Sequence, residues 1–362
     1  MSIRNKLASF ENDIDFPRLW RIGAVISLVL LLVSGGALLI RGLNLGIDFE
    51  GGTAWEVQAP DASVADARDA LTPLGLGNAK IQFVGGDNLR VQAEPGDDAG
   101  VTEVTEALAE LAGTDANDVG VSTVGPTWGD EILSKAQRAL VVFFVIIAAY
   151  MAVRLEWKMA VGGLAAVVHD IVITVGFYAV FQLEVTPATV IAFLTIMGYS
   201  LYDTIVVFDK AQDNAAKPAV AQRMTYTDLM SLSLNQVLMR SLNATVTSLL
   251  PVLSLLFVGS FVLGAVTLQE FAVALAVGLT IGAYSSIFVA VPIVAWLKER
   301  EPQHQSLRRR LDAHAGRRSA AEPVAATAGA TSSATDARPA GTAPQLSGRA
   351  IPPRPRKKGK RR

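Results

Sequence analysis

Nineteen consecutive uncharged residues, 22 to 40, stand between Arg21 and Arg41, and a chain carrying such a run has few soluble folds open to it. About 20 apolar residues in a helix cross a hydrocarbon core roughly 30 Å thick. The run exceeds the roughly 7–15 residues of a secretory h-region and lacks a small-x-small exit, so it reads as an uncleaved signal anchor rather than a cleaved signal peptide. Further apolar stretches at 134–153, 159–182, 187–208, 241–266 and 271–297 predict five more spans. A chain of 362 residues that is 51% hydrophobic fits that reading better than one soluble fold.

Basic residues alternate between the connecting loops, which is how orientation is read. Arg4, Lys6, Arg18 and Arg21 precede the first span; Arg154 and Lys158 lie between the second and third; Lys210, Lys217, Arg223 and Arg240 lie between the fourth and fifth. The loops around Glu184 and around Gln269 and Glu270 carry none. Both termini are therefore expected in the cytoplasm of a multi-pass protein of the cell inner membrane. The expected division is 1–21 cytoplasmic N-terminus, 22–40 first span, 41–133 extracytoplasmic domain, 134–301 spans two to six, and 302–362 disordered basic cytoplasmic tail.

Residues 42–131 hold 17 acidic against 3 basic residues. Alternation predicts strands at 53–59, 80–84, 89–93 and 120–124, with helices at 64–74 and 102–111 and a turn at Gly85-Gly86-Asp87-Asn88. The order βαββαβ is that of a small α+β, ferredoxin-like domain. The acidity suits a solvated surface or a docking surface for basic client segments. Residues 302–362 reverse the balance, with 14 basic against 3 acidic residues. Held near anionic lipid, each basic residue contributes about 1 kcal/mol; binding to ribosomal RNA is the weaker alternative, because no aromatic residue is interleaved for stacking.

With no cysteine, and His169, His304 and His314 far apart, neither a metal centre nor a thiol nucleophile is expected. No nucleophile and base are arranged for enzymatic chemistry, and no P-loop is present. Charge inside the spans is more informative, since each such residue costs roughly 2.5–3.5 kcal/mol on insertion scales unless it faces protein. His169-Asp170 lies within the third span, Asp203 within the fourth, and Arg240 at the expected start of the fifth. A carboxylate beside an arginine has its proton affinity set by two opposed effects, desolvation and the nearby positive charge. Such a pair can serve as a proton relay or as a static ion pair. Asp203 and Arg240 are the main relay candidates, with Asp170 and His169 weaker, and the proton is the only coupling ion implied.

Gly46-Ile47-Asp48-Phe49-Glu50-Gly51-Gly52-Thr53, His169-Asp170, Gly198-Tyr199-Ser200-Leu201-Tyr202-Asp203-Thr204, and the stretch from Asn235-Gln236 through Arg240-Ser241-Leu242-Asn243 to Pro251 resemble motifs of the SecF family of bacterial protein export. Tyr202 departs from the Asn usual there. The resemblance implies pairing with SecD in a twelve-span, resistance-nodulation-division-like unit at the SecYEG channel. That unit uses the proton-motive force to move emerging preproteins. It also implies proton-transport roles for Asp203 and Arg240. Gly46, Asp48, Gly51, Gly52 and Thr53 read as a structural signature, because paired glycines permit a tight turn. Two rival readings remain from the residues themselves: half of a proton-coupled small-molecule exporter, or a membrane scaffold that moves no protons.

Overall fold

The computed structural model describes residues 14–84, 86–93, 100–259 and 266–313. Among these, six helices are long and apolar enough to cross a membrane: Phe16–Arg41, Pro126–Arg154, Trp157–Phe181, Pro187–Ala215, Tyr226–Phe257 and Thr267–Glu299. The last contains a turn of π-helix, Ser286–Ala290. Its cause lies next to it: Pro292 has no N–H to donate, and its ring crowds the carbonyl four residues back.

The second, fourth and fifth helices reach furthest beyond the expected spans. The second begins at Pro126 and the fourth continues to Ala215. The fifth starts at Tyr226, where Thr225 and Asp228 form a reciprocal capping box, and it ends at Phe257. Its first half buries Leu229, Met230, Leu234 and Val237 against the other helices, so Arg240, expected at the start of the fifth span, lies in the middle of a longer helix.

Close helix packing rests on small residues, which let backbones approach where apolar side chains gain little from leaving lipid. A Cβ on Gly176 would run into Ser34 of the first span, one on Gly162 into Val294, and one on Gly278 into Ile196.

The small domain holds β2 (Gly52–Gln58), β3 (Lys80–Val84), β4 (Asn88–Ala93) and β5 (Gly120–Val124), with helices Val64–Leu71 and Val101–Ala112. The order β3-β4-β2-β5, antiparallel throughout, is the ferredoxin-like arrangement expected. Trp55, Val57, Leu89 and Val91 alternate onto the face covered by the two helices, where they pack with Ala67, Leu71, Val104 and Leu108. Val64 and Val101 are exposed first-turn residues of these helices. Part of the expected turn, Gly85, lies outside the described residues, as does 314–362 of the tail; residues 302–313 are helical, against the expected disorder.

The other sheet face carries Glu56 opposite Arg90 on the neighbouring strands, with Gln92 two residues on. A two-stranded parallel sheet joins β1 (Asn44–Leu45) to β6 (Glu184–Val185), tying the domain's root to the loop between spans three and four. Phe49, in the short helix Ile47–Glu50, is buried there with Tyr178, Val185, Ile196 and Leu275.

Candidate functional site

Asp170, at the middle of the third span, is 1% exposed. A lone carboxylate at that depth needs donors, and neighbouring helices supply them. Ser200 Oγ of the fourth span donates to Asp170 Oδ2 at 2.5 Å, and Ser285 Oγ of the sixth at 2.9 Å. His169 Nδ1 lies 3.2 Å from the other oxygen, Oδ1. The imidazole stacks on Tyr284 with ring centroids 6.2 Å apart. Tyr284 Oη donates to the Gly23 carbonyl at 2.7 Å and lies 3.0 Å from Ser27 Oγ, both in the first span. His169 Nε2 is buried and meets no hydrogen-bond partner among the described residues. One polar network thus links spans one, three, four and six.

Asp203 lies one turn beyond Ser200 on the fourth span. Its Oδ2 is buried and meets no hydrogen-bond partner among the described residues, as is true of the buried Ser241 Oγ of the fifth span; Asp203 lies beside a cavity of about 100 Å³ lined by Tyr199, Ser200, Tyr202, Asp203, Thr245 and Ser248 among others. That volume has room for water, with Ser200, Asp203, Thr245 and Ser248 as polar groups in a lining that is otherwise mainly apolar. Arg240, the expected partner, is directed elsewhere: its Nη2 is 3.5 Å from Tyr202 Oη, at the outer limit of a hydrogen bond. Asp203 and Arg240 are thus brought to one face of spans four and five without a direct ion pair. Arg240, Asn243 and Thr247 are exposed on that face, as is Tyr202, an arrangement costly against lipid.

Ser200 joins the two carboxylates: it donates to Asp170 and lines the Asp203 cavity. Thr204 and Ser286 extend the polar strip, their hydroxyls 2.9 Å apart. Asp170, His169, Asp203 and Arg240 are the relay candidates legible in the sequence, where Ser200 and Thr204 stand only as members of the fourth-span motif and Ser285 and Ser286 carry no signal.

A second charged cluster lies where the small domain meets the membrane-embedded body, and the sequence reading missed it. Arg90 of β4 contacts Glu56 at 2.6 Å, Glu184 at 2.6 Å and Glu270 at 2.7 Å. Gln92 Nε2 donates to Glu184 at 2.6 Å, Gln82 Nε2 donates to it at 3.1 Å, and Thr186 Oγ1 donates to Glu270 at 3.0 Å. Burial opposes the guanidinium charge, but the three carboxylates outweigh it and push its pKa up. Asp48 stands nearby; burial and the Glu184 charge raise its carboxyl pKa while Arg90 pulls it down. Asp48, Glu56, Arg90, Gln92, Glu184 and Glu270 line a cleft of about 450 Å³ between the sheet and the body.

The remaining signature residues shape the root. Gly46 N donates to the Val185 carbonyl at 3.0 Å. Gly51 and Gly52 have φ of +77° and +121°, and a Cβ on Gly51 would lie 2.8 Å from Pro126 Cα, so this turn admits little but glycine. Thr53 Oγ1 is 3.1 Å from Thr123 Oγ1 across β2 and β5.

Residues 103–300 match the protein export membrane protein SecD/SecF C-terminal family, and residues 36–59 match the SecD/SecF GG motif. The chain is 40% identical over 354 residues to the protein translocase subunit SecF of Streptomyces coelicolor, covering 97% of this chain and 95% of that one. It is 36% identical to the SecF subunit of Vibrio alginolyticus over 77% of this chain and 88% of that one. Its fold is similar to crystalline SecDF of Thermus thermophilus, described as a translocon-associated membrane protein, with a TM-score of 0.69 and 33% identity. That match covers 81% of this chain and spans only 40% of the length of the Thermus chain. A six-helix membrane body with a ferredoxin-like domain after its first span, both family motifs and a relative matched along nearly its whole length place this multi-pass membrane chain in the SecD/SecF family, on its SecF side.

Proposed function

We propose that this chain is the SecF-type subunit of a Sec export machine, pairing with SecD and using the proton-motive force to promote preprotein passage through the SecYEG channel. The observation that carries the proton part is the polar track through the helices: the partnerless Asp203 oxygen beside its cavity, Ser200 on the cavity wall, and Asp170 with His169 behind it. A carboxylate that faces a water-sized cavity can exchange a proton, and hydroxyls within hydrogen-bond reach can pass one on. Movement of one charge down 100 mV supplies about 2.3 kcal/mol. Arg240, free of a direct ion pair with Asp203, can approach it or withdraw and so alter its proton affinity.

The exposed polar face formed by Tyr202, Arg240, Asn243 and Thr247 supports pairing with SecD, because those groups need protein or water rather than acyl chains. The alternation of basic loops supports cytoplasmic termini in the cell inner membrane, with the small domain outside. The basic tail then faces anionic lipid, ribosome binding being the weaker alternative.

The test is completion of export of a preprotein already lodged in the channel, in membrane vesicles carrying the chain with SecD, with and without a proton gradient. The gradient accelerates wild type, and Asp203→Asn abolishes the gain while the complex still assembles. Wild-type acceleration in Asp203→Asn would remove Asp203 from the relay and favour the scaffold reading.

A further inference from the structure

The small domain is joined to the membrane-embedded body in two unlike ways. At the root, the β1–β6 pairing and buried Phe49 fix residues 44–50 against spans three, four and six. The chain leaves this root for the sheet at Gly51-Gly52 and returns from it at Gly125, just before the second span begins at Pro126. Both crossings are thus made at glycine, side by side, since Gly52 pairs with Val124. Adjacent crossings of this kind define an axis about which the sheet can tilt while the root stays in place.

Away from that axis, the side-chain hydrogen bonds and ion pairs that cross from the sheet to the spans and loops of the body, among the described residues, come from Arg90, Gln82 and Gln92. Arg90 reaches Glu184 and Glu270, and Gln82 and Gln92 reach Glu184. A further bridge, Lys80 to Glu50 at 3.0 Å, ties β3 to the root helix but is exposed. Apolar packing resists sliding and parting alike, whereas polar contacts have an alternative partner in water whenever the cleft opens.

We propose that the Glu184–Arg90–Glu270 bridge is a latch, and that the glycine crossings at Gly51-Gly52 and Gly125 are the hinge about which the small domain tilts away from the membrane-embedded body when the latch parts. Arg90 is suited to this because it stays paired in both positions. Its Nε and Nη2 bond Glu56 on the adjacent strand of its own sheet, at 2.7 and 2.6 Å, so on opening it carries a carboxylate partner with it. Glu184 and Glu270 are left facing the cleft, where water enters. The charged and titratable groups around the bridge are Asp48 from the root helix, Glu56 and Arg90 from the sheet, Glu184 from β6, and Glu270 and Tyr178 from the helices beneath; Tyr178 Oη donates to the Glu270 carbonyl at 3.2 Å. The latch is separate from the proposed proton relay, since it can part whether or not Asp203 binds a proton.

The chain has no cysteine, so spin labels can be placed at Asp69→Cys in the small domain and Lys135→Cys in the second span. Electron-electron distances are then measured in the full chain in lipid nanodiscs, with amide exchange of β4 recorded on the same samples. Arg90→Gln removes the cation; the double variant Glu184→Gln with Glu270→Gln removes both body-side charges and leaves Arg90 paired to Glu56. The proposal expects one narrow distance without these changes, and a second, longer population in both variants while β4 amides stay protected. A single unchanged distance in both variants overturns it. So does loss of β4 protection in both, which would make the bridge a requirement for folding rather than a latch.

Discussion

Asp170 and Asp203 are carboxylates on adjacent helices with opposite surroundings. Asp170 is enclosed and bonded by two hydroxyls and a histidine, while Asp203 keeps an oxygen free beside a cavity. Ser285→Ala leaves Asp170 Oδ2 with one donor in place of two, and is expected to cost about 1–3 kcal/mol, seen as earlier thermal unfolding in detergent. Asp48 gives a pH-dependent case. Its folded pKa lies above the unfolded carboxylate value, so the folded state holds this proton more tightly, and the stability it contributes declines as pH rises from about 4. Asp48→Asn should therefore be more stable than wild type at pH 7, with the difference vanishing in acid; melting curves across pH 3.5–7 check the sign. At this scale the sequence shows the charges and hides their company. An Asp within an apolar run announces itself, but Ser200 and Ser285 lie 30 and 115 residues from Asp170 in the chain. A serine in a span has no pattern that tells a ligand from a filler.

Helices and strands were legible wherever periodicity was uninterrupted. β3 and β5 stand at their expected limits, and β2 and β4 shift by one residue. Hydropathy reports where lipid begins, not where a helix does: Tyr226–Phe257 starts well before the apolar stretch at 241, on residues buried against protein. The π turn was invisible as a pattern, although Pro292 gives its physical reason. Interhelical glycines carry the sharpest prediction at this scale. Gly176→Val drives two branched methyls into Ser34 and separates spans one and three, at an expected cost of about 1–3 kcal/mol. Gly36→Ala, with nothing near its Cβ, should stay within about 0.5 kcal/mol of wild type. Parallel thermal denaturation of the two variants in the same detergent distinguishes close packing from general intolerance of side chains in that region.

In the whole molecule, two polar systems lie at different levels of one body: a charged bridge under the small domain and a hydroxyl-carboxylate track among the helices. The bridge is not legible in the sequence because Glu184 and Glu270 stand in stretches that read as short loops with no basic neighbour and serve there only to mark orientation, whereas the structure places them in β6 and in the first turn of the sixth helix. Their partner, Arg90, is on a strand that the fold alone brings above them. The proposed orientation predicts that Asp69→Cys reacts with an impermeant thiol reagent outside the inner membrane, and Arg308→Cys only after that membrane is opened. The reverse labelling pattern would invert the topology. If Asp203 is a point through which protons pass, proton flux itself depends on it. The chain is reconstituted with SecD in liposomes loaded with a pH-sensitive dye, and an imposed membrane potential drives protons through wild type and Asp203→Asn. The expected result is a flux in wild type that falls to the rate of protein-free liposomes in Asp203→Asn. Equal flux in the two proteins would contradict it.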